Sequence, residues 1–433
     1  MLKKIRLLIN KIEFKDIHRY SSKHFVRECI LTFPVMILLL LQKSSRSLQL
    51  MLNEFTKIKL PEKTITNGAF TKARKKLKHT AFIELNQVAI VDTMYEDGDY
   101  KTYKGHRVLA CDGSKIRLPY TKSVIDEFGT ISYLSTKKGY KKIDGENAYG
   151  LASALYDVFN NIVIDSVLAP AKAYEVDLAV KHLKKTQEND LIIFDRNYPS
   201  FRMLAEISKM KRDCLIRCSK KSFSTARKML KGKGKDSQIV KLKVHHAKRK
   251  EIQRLGLPET LTLRFVRVVL NTGEYEVLVT TLLDEEKYQT ADFKEIYHYR
   301  WGIETLYGTL KTRLNLENFS GLTAEAIKQD FYATVFLTGM ESLLTDDAEE
   351  VFSNKDVKHS QKVNKAVSFH TIKHQAIEIL FGDENDIDYL LESLTKIFLK
   401  NPTIVRENRN PPRKKRSARK LIDFHKRRKK SCY

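Results

Sequence analysis

Three carboxylates in this chain stand where a divalent cation can be held. Asp112 closes the apolar run in HRVLACDGS, Asp195 closes another in LIIFDRNY, and Glu304 lies in YHYRWGIETLYGTLKTRL. Carboxylates at strand ends of an α/β sheet sit outside the carboxyl edge, where ligands bind. Two such acids and a third from a packing helix suit two Mg2+ ions about 4 Å apart. One ion would activate a water or a 3′-hydroxyl and the other would stabilise the leaving oxygen of a scissile phosphate. Any one of these acids alone is equally at home capping a turn or pairing on the surface.

The segment around Glu304 sharpens the pattern. Tyr297, Arg300, Glu304 and Lys311 follow one another at intervals of 3, 4 and 7. At 100° per residue a continuous helix puts them within about 60° of arc. Phenol, guanidinium, carboxylate and ammonium make a poor core stripe and a good phosphate-handling one, with Arg300 and Lys311 gripping backbone phosphates beside a metal-bound Glu304. The competing account is a surface ladder of ion pairs.

The elements that must position these residues divide the chain. Residues 1 to about 100 read as helical: PVMILLLLQKSSRSLQLMLNEF is Leu-rich, with Pro34 suited to a first turn. In AFTKARKKLKHTAFIELNQ, Phe70, Ala73 and Leu77 recur at helical spacing while Lys72, Arg74, Lys75, Lys76 and Lys78 crowd the remaining surface. That basic helix either faces DNA or is a solvated face on a packing helix. From about 101 the pattern turns to strands. NAYGLASALYDV and IVIDSVLAP, joined by Phe159-Asn160-Asn161, predict a hairpin. The order β-β-β-α-β-α-β over 101–218 then predicts a mixed sheet in an α/β domain. Residues 219–290 interrupt it as a β-rich insertion, Lys/Gly/Ser-rich at first and then a hairpin turning at Asn271-Thr272-Gly273-Glu274. The core resumes over 291–345, and helices continue over 346–402. A tail over 403–433 follows, in which VRENRNPPRKKRSARKLIDFHKRRKKSCY holds 13 Lys+Arg against 2 acids. It is expected to be disordered or helical only on binding.

Charge narrows the partner. With 79 Lys+Arg against 52 Asp+Glu the formal net charge is +27, and such an excess adds self-repulsion without helping the fold. A polyanion is the usual reason to carry it, nucleic acid foremost. The five cysteines are scattered, with no recurring C-x2-C pair, which excludes an ordinary structural zinc site and suits reduced, buried thiols. The longest apolar run, Ile30 to Leu41, is well short of the roughly 20 residues that span a bilayer. A soluble, cytoplasmic protein with no membrane partner is expected.

Tyr297, Arg300, Glu304 and Lys311 match Y-x2-R-x3-E-x6-K, and the chain resembles the DDE transposases of the insertion sequence four family. DGS at Asp112 and FDRNY at Asp195 look like that family's first and second acid motifs, and the strand order is similar to its ribonuclease H-like core. The resemblance covers roughly residues 60 to 340. One departure is Asn197, where the family usually has Gly; Asn tolerates left-handed turn geometry better than most residues. The resemblance implies that Asp112 bridges two Mg2+ ions, for which Mn2+ substitutes, while Asp195 and Glu304 each complete one. It implies that Tyr297, Arg300 and Lys311 hold the transposon end, and Arg196 and Tyr198 are candidates for phosphate contact. Trp301 either stacks on a splayed base or packs its helix onto the core. The implied protein is a bacterial insertion-sequence transposase, nucleoid-associated. It would bind double-stranded terminal repeats through residues 1–100, synapse two ends as a homodimer, and join them to target DNA. A nuclease with the same core, or a basic DNA-binding protein without catalysis, are the alternatives.

Overall fold

A computed structural model describes residues 1–43, 47–59, 63–137 and 140–405. The basic tail from residue 406 onward lies outside the described residues. The chain divides into two compact units: Met1–Asp99, Ile116–Gly150 and Gly308–Tyr433 in one, Tyr100–Lys115 and Leu151–Tyr307 in the other.

The second unit is built on a mixed sheet. Its strands are β1 (Arg107–Arg117), β3 (Tyr140–Asp157), β4 (Ile162–Pro170), β5 (Asp190–Phe194), β6 (Asp213–Arg217), β7 (Ser237–Lys243), β8 (Thr260–Val269) and β9 (Tyr275–Thr280); β1 and β3 begin or end in the first unit, where β2 (Thr130–Lys137) pairs with β3. β3 lies between β4 and β1, and the order continues β1-β5-β6-β9-β8-β7. β1, β5 and β6 run parallel, and β6, β9, β8 and β7 alternate antiparallel. Parallel neighbours need crossovers, which the helices Glu175–His182 and Phe201–Lys209 supply. Every residue of β5 is buried, as a parallel strand covered on both faces must be. The β4-β3-β1-β5-β6 order is the ribonuclease H-like arrangement that the resemblance implied. Both hairpins form where their turn residues stand: Asn161 and Gly273 adopt φ of 56° and 78°, and the Asp157 carboxylate accepts the amides of Phe159 and Asn160. The stretch 219–290 makes no sheet of its own. Its strands extend the core sheet through the β6–β9 pairing.

Apart from the β2–β3 pairing and a short two-stranded sheet (Gln361–Val363 with Pro402–Ile404), the first unit is helical. Phe33–Leu41 starts with Thr32 accepting the Val35 amide and Pro34 in its first turn, and Met36 to Leu41 are all buried. A short helix apolar on all sides is a core element, and among the described residues no helix is long and apolar enough to cross a membrane. The 30-residue helix Ala324–Ser353 is buried without a break from Gln329 to Glu341. The basic segment corrects one expectation. It is not one surface helix but Asn67–Arg74 followed by a turn, and Arg74 is buried. Its guanidinium donates to Asp330 at 2.7 Å, Gln329 at 2.6 Å, Ser320 at 2.8 Å and the Ala326 carbonyl at 2.6 Å. Lys72 and Lys75 remain exposed.

Beside this network Lys373 donates to the Lys43 carbonyl at 2.6 Å. Burial, and secondarily the Lys43 charge, pull its ammonium down to about 8. A lysine depressed in the fold binds fewer protons folded than unfolded, so stability should rise between pH 8 and the ordinary lysine value of 10.5. Lys373→Met should raise the unfolding free energy at pH 7 by about 1–2 kcal/mol. A denaturant titration at pH 7 and pH 10 checks both, the gain vanishing at the higher pH.

Candidate active site

The parallel register of β1 and β5 ends on Cys111 opposite Phe194. The next residue of each strand is an acid, so Asp112 and Asp195 stand side by side at the carboxyl edge. β1 does not stop at Asp112, as the sequence suggested; it runs on to Arg117, and what ends at Cys111 is its fully buried stretch. Asp112 Oδ1 accepts the Gly113 amide at 2.8 Å. Burial pushes its carboxyl up to about 7, the charges of Asp195 and Glu175 push the same way, and the Gly113 amide and Arg300 oppose. Asp195 Oδ1 accepts the Asn197 amide at 2.7 Å, closing an Asx turn. Asn197 is not among the residues with positive φ, so the left-handed freedom of Gly is not used at this position.

Glu304 belongs to a helix, Trp301–Gly308, but the continuous helix that placed four residues on one arc is absent. The helix Asp292–His298 ends, and Tyr299, Arg300, Gly302 and Ile303 each donate to the carbonyl three residues back. Gly302 permits a close approach there, since a Cβ would sit 3.2 Å from Val158. Beyond Gly308, Thr309–Arg313 is a π-turn, in which Leu314 donates to Thr309 five residues back. A rotation of 100° per residue holds through neither segment.

Three of the four residues still converge. Arg300, almost fully buried, donates Nη2 to Glu304 Oε1 at 2.7 Å and holds Nη1 3.9 Å from Asp112 Oδ2. Its guanidinium lies over the rings of Trp301 at 4.9 Å and Tyr297 at 5.7 Å. Arg300 is therefore wedged between two of the acids. Tyr297 packs into the core with Phe293, Ile296 and Leu215; its hydroxyl is sealed off with no partner among the described residues, and burial pushes it to about 12. Lys311 falls in the other unit, where burial lowers its ammonium against the pull of Glu317.

The model of the transposase DDE domain matches residues 103–339, more than half of the chain. The chain belongs to the transposase DDE domain family. A comparison with curated proteins returned no match. Among solved structures, the cryo-EM structure of the piggyBac transposase synaptic complex with hairpin DNA is similar at 8% identity and a TM-score of 0.46, covering 94% of this chain and 86% of that one.

Within this DDE domain, the two candidates of the second acid motif differ in exposure. Arg196 is exposed, whereas Tyr198 is fully buried against Phe194, ring centroids 5.2 Å apart, with its hydroxyl enclosed. Three features escaped the sequence. Glu175, first residue of its helix, raises the proton affinity of Asp112, and its own carboxyl is pushed up by burial and by Asp195. A Cβ on Gly113 would stand 3.2 Å from Glu175 Oε1, so the glycine of the DGS motif is what lets β1 approach that helix. The Tyr307 hydroxyl lies 2.9 Å from the carbonyl oxygens of Asp112 and Ala152, tying the Glu304 helix to β1 and β3; its position three residues after Glu304 was a visible signal. Glu276 is buried and bonded to Arg217 at 2.9 Å. Nothing in the spacing marked Glu175 or Glu276.

Proposed function

We propose that this chain is the transposase of a bacterial insertion sequence, acting in the cytoplasm on nucleoid DNA: it binds terminal inverted repeats, cleaves their strands and joins them to target DNA. The observation that carries this is the register that sets Asp112 beside Asp195, with Glu304 bridged to Asp112 by Arg300. The net charge of +27 supports a DNA partner.

Divalent cations, Mg2+ or Mn2+, are implied by the family. Among the described residues no three His, Cys, Asp or Glu side chains converge closely enough to hold one as they stand. The donor chemistry nevertheless fits. Asp112, Asp195 and Glu175 are hard oxygen donors, and burial, with the charges of Asp195 and Glu175 behind it, holds Asp112 up at about 7. Asp112 would be shared between two ions, with Asp195 and Glu304 completing one each. When bound, the pair supplies a nucleophilic oxygen and a stabilised leaving oxygen at the scissile phosphate.

Glu304 accepts from Arg300 at Oε1, which leaves Oε2 able to take a cation. The Arg300 guanidinium, held between two acids, is a planar fork that would also suit a backbone phosphate beside them. Tyr307 ties the Glu304 helix to β1 and β3. Tyr297 and Trp301 flank the guanidinium and fix its plane. Lys311 and Arg196 are further candidates for backbone contact, and the helical residues 1–100 for end recognition by a homodimer that synapses two ends.

Strand transfer with Mg2+ on DNA carrying the element's own terminal repeats tests this. Joined products from the wild-type chain and none from Asp195→Asn are expected. Undiminished joining by Asp195→Asn, or cleavage without joining and without preference for the repeats, would overturn it.

A further inference from the structure

The segment that extends the sheet holds a second basic surface remote in sequence from the catalytic acids. Residues 219–254 contain 13 Lys+Arg against 2 acids, a net of +11. A run of this kind is ordinarily a solvated face. Here it is built. In the loop between Met229 and β7, Arg267 of β8 donates Nε to Asp236 at 2.6 Å, and its two Nη groups reach the carbonyls of Met229, Lys233 and Gly234 at 3.3, 3.4 and 3.1 Å. Its guanidinium lies over Tyr275 at 5.0 Å. Gly232 and Gly234 adopt φ of 77° and 80°, the left-handed conformation that favours glycine.

One arginine therefore occupies the only acid of the loop and three of its carbonyls. That leaves Lys231, Lys233 and Lys235 exposed and projecting from a fixed backbone. The neighbouring edge of the sheet continues the pattern. β7 pairs only with β8, and its exposed positions are Ile239, Lys241 and Lys243. Lysines on a tethered loop and along an edge strand lose less conformational freedom on binding than lysines on a free tail. An edge strand charged in this way also resists pairing with another strand.

We propose that the Arg267-tethered lysine loop and the outer edge of β7 form a binding surface for the phosphate backbone of duplex DNA, independent of its sequence. Ammonium groups on a loop and a strand edge neutralise phosphates whatever the base, so the surface suits flanking or target DNA rather than a repeat. It rests on the proposed function only for the choice of DNA as the polyanion.

The test is anisotropy of the full chain on a labelled random-sequence duplex, in EDTA and across a range of KCl, so that no cleavage enters. Each phosphate contact contributes about 0.9 to the slope of log affinity against log salt. Lys231→Gln/Lys233→Gln/Lys235→Gln should therefore lower that slope by roughly 2.7. Arg267→Gln keeps the three lysines and unties the loop; weaker binding with a smaller change of slope is expected. Lys241→Glu/Lys243→Glu supplies an independent variant should the triple variant misfold. A wild-type slope in both lysine variants would overturn the proposal whatever the outcome of strand transfer, and tighter, lysine-dependent binding of duplex RNA would overturn the assignment to DNA.

Discussion

Asp112→Asn should abolish strand cleavage and at the same time make the protein more stable. The loss of activity, on the order of 10^3-fold or more, follows from removing the carboxylate proposed to be shared by both cations. The gain in stability follows from the same residue's environment. Burial and two neighbouring carboxylates raise its carboxyl from 3.8 to about 7. A carboxyl raised in the fold binds more protons folded than unfolded. Its contribution is fully present below pH 3.8 and is lost as pH rises through 7. In EDTA at pH 8 the ionised wild-type side chain should therefore cost about 2–4 kcal/mol, which the amide avoids. Urea unfolding of both proteins at pH 5 and pH 8 measures it: a wide gap at pH 8, a narrower one at pH 5. An Asp112→Asn protein less stable than wild type at pH 8 would contradict the account of the site.

Asp330→Ala should have the opposite effect. Asp330 is fully buried on the helix Ala324–Ser353, bonded by Arg74 and by the amide and hydroxyl of Ser320, with the Lys43 ammonium 3.9 Å away. Burial alone would raise its carboxyl, but Arg74, Lys43 and Ser320 outweigh it and hold it below the ordinary range. Removing the carboxylate strands a buried guanidinium and a buried ammonium, at a cost of about 3–5 kcal/mol. Asp330→Ala and Arg74→Ala should be strongly non-additive, because either change already breaks the network. Chemical denaturation of the two single variants and the double variant reads this directly, and additive losses would show that the pair acts separately.

Strands were legible where burial on both faces makes continuous apolar runs and where Asn and Gly mark the turns. Asp112 and Asp195 came with them, because an acid ending such a run is a local signal. Contacts made across long stretches of chain were not legible. Arg74 looks like surface in a run of lysines, and only Asp330, 256 positions away, takes it inside. Glu175 looks like an ordinary helix start, and only the β1–β5 pairing sets acids near it. The arc of Tyr297, Arg300, Glu304 and Lys311 assumed a regular helix. Gly302 pressed on Val158 and the π-turn after Gly308 break that regularity, although Arg300 still finds Glu304.

The parallel pairing of β1 with β5 also bears on when, during synthesis, the three proposed catalytic acids can come together. Asp112 lies on β1 and Asp195 directly follows β5, strands whose partnered residues are 83 positions apart, and Glu304 comes later still. A ribosome must deliver all three segments, and the sheet must close over the first two, before any carboxylate set exists. Chains that stop short of residue 304 carry the basic loop and the first two acids but not the third. On the proposed function, cleavage would therefore be withheld until synthesis has run through the DDE domain.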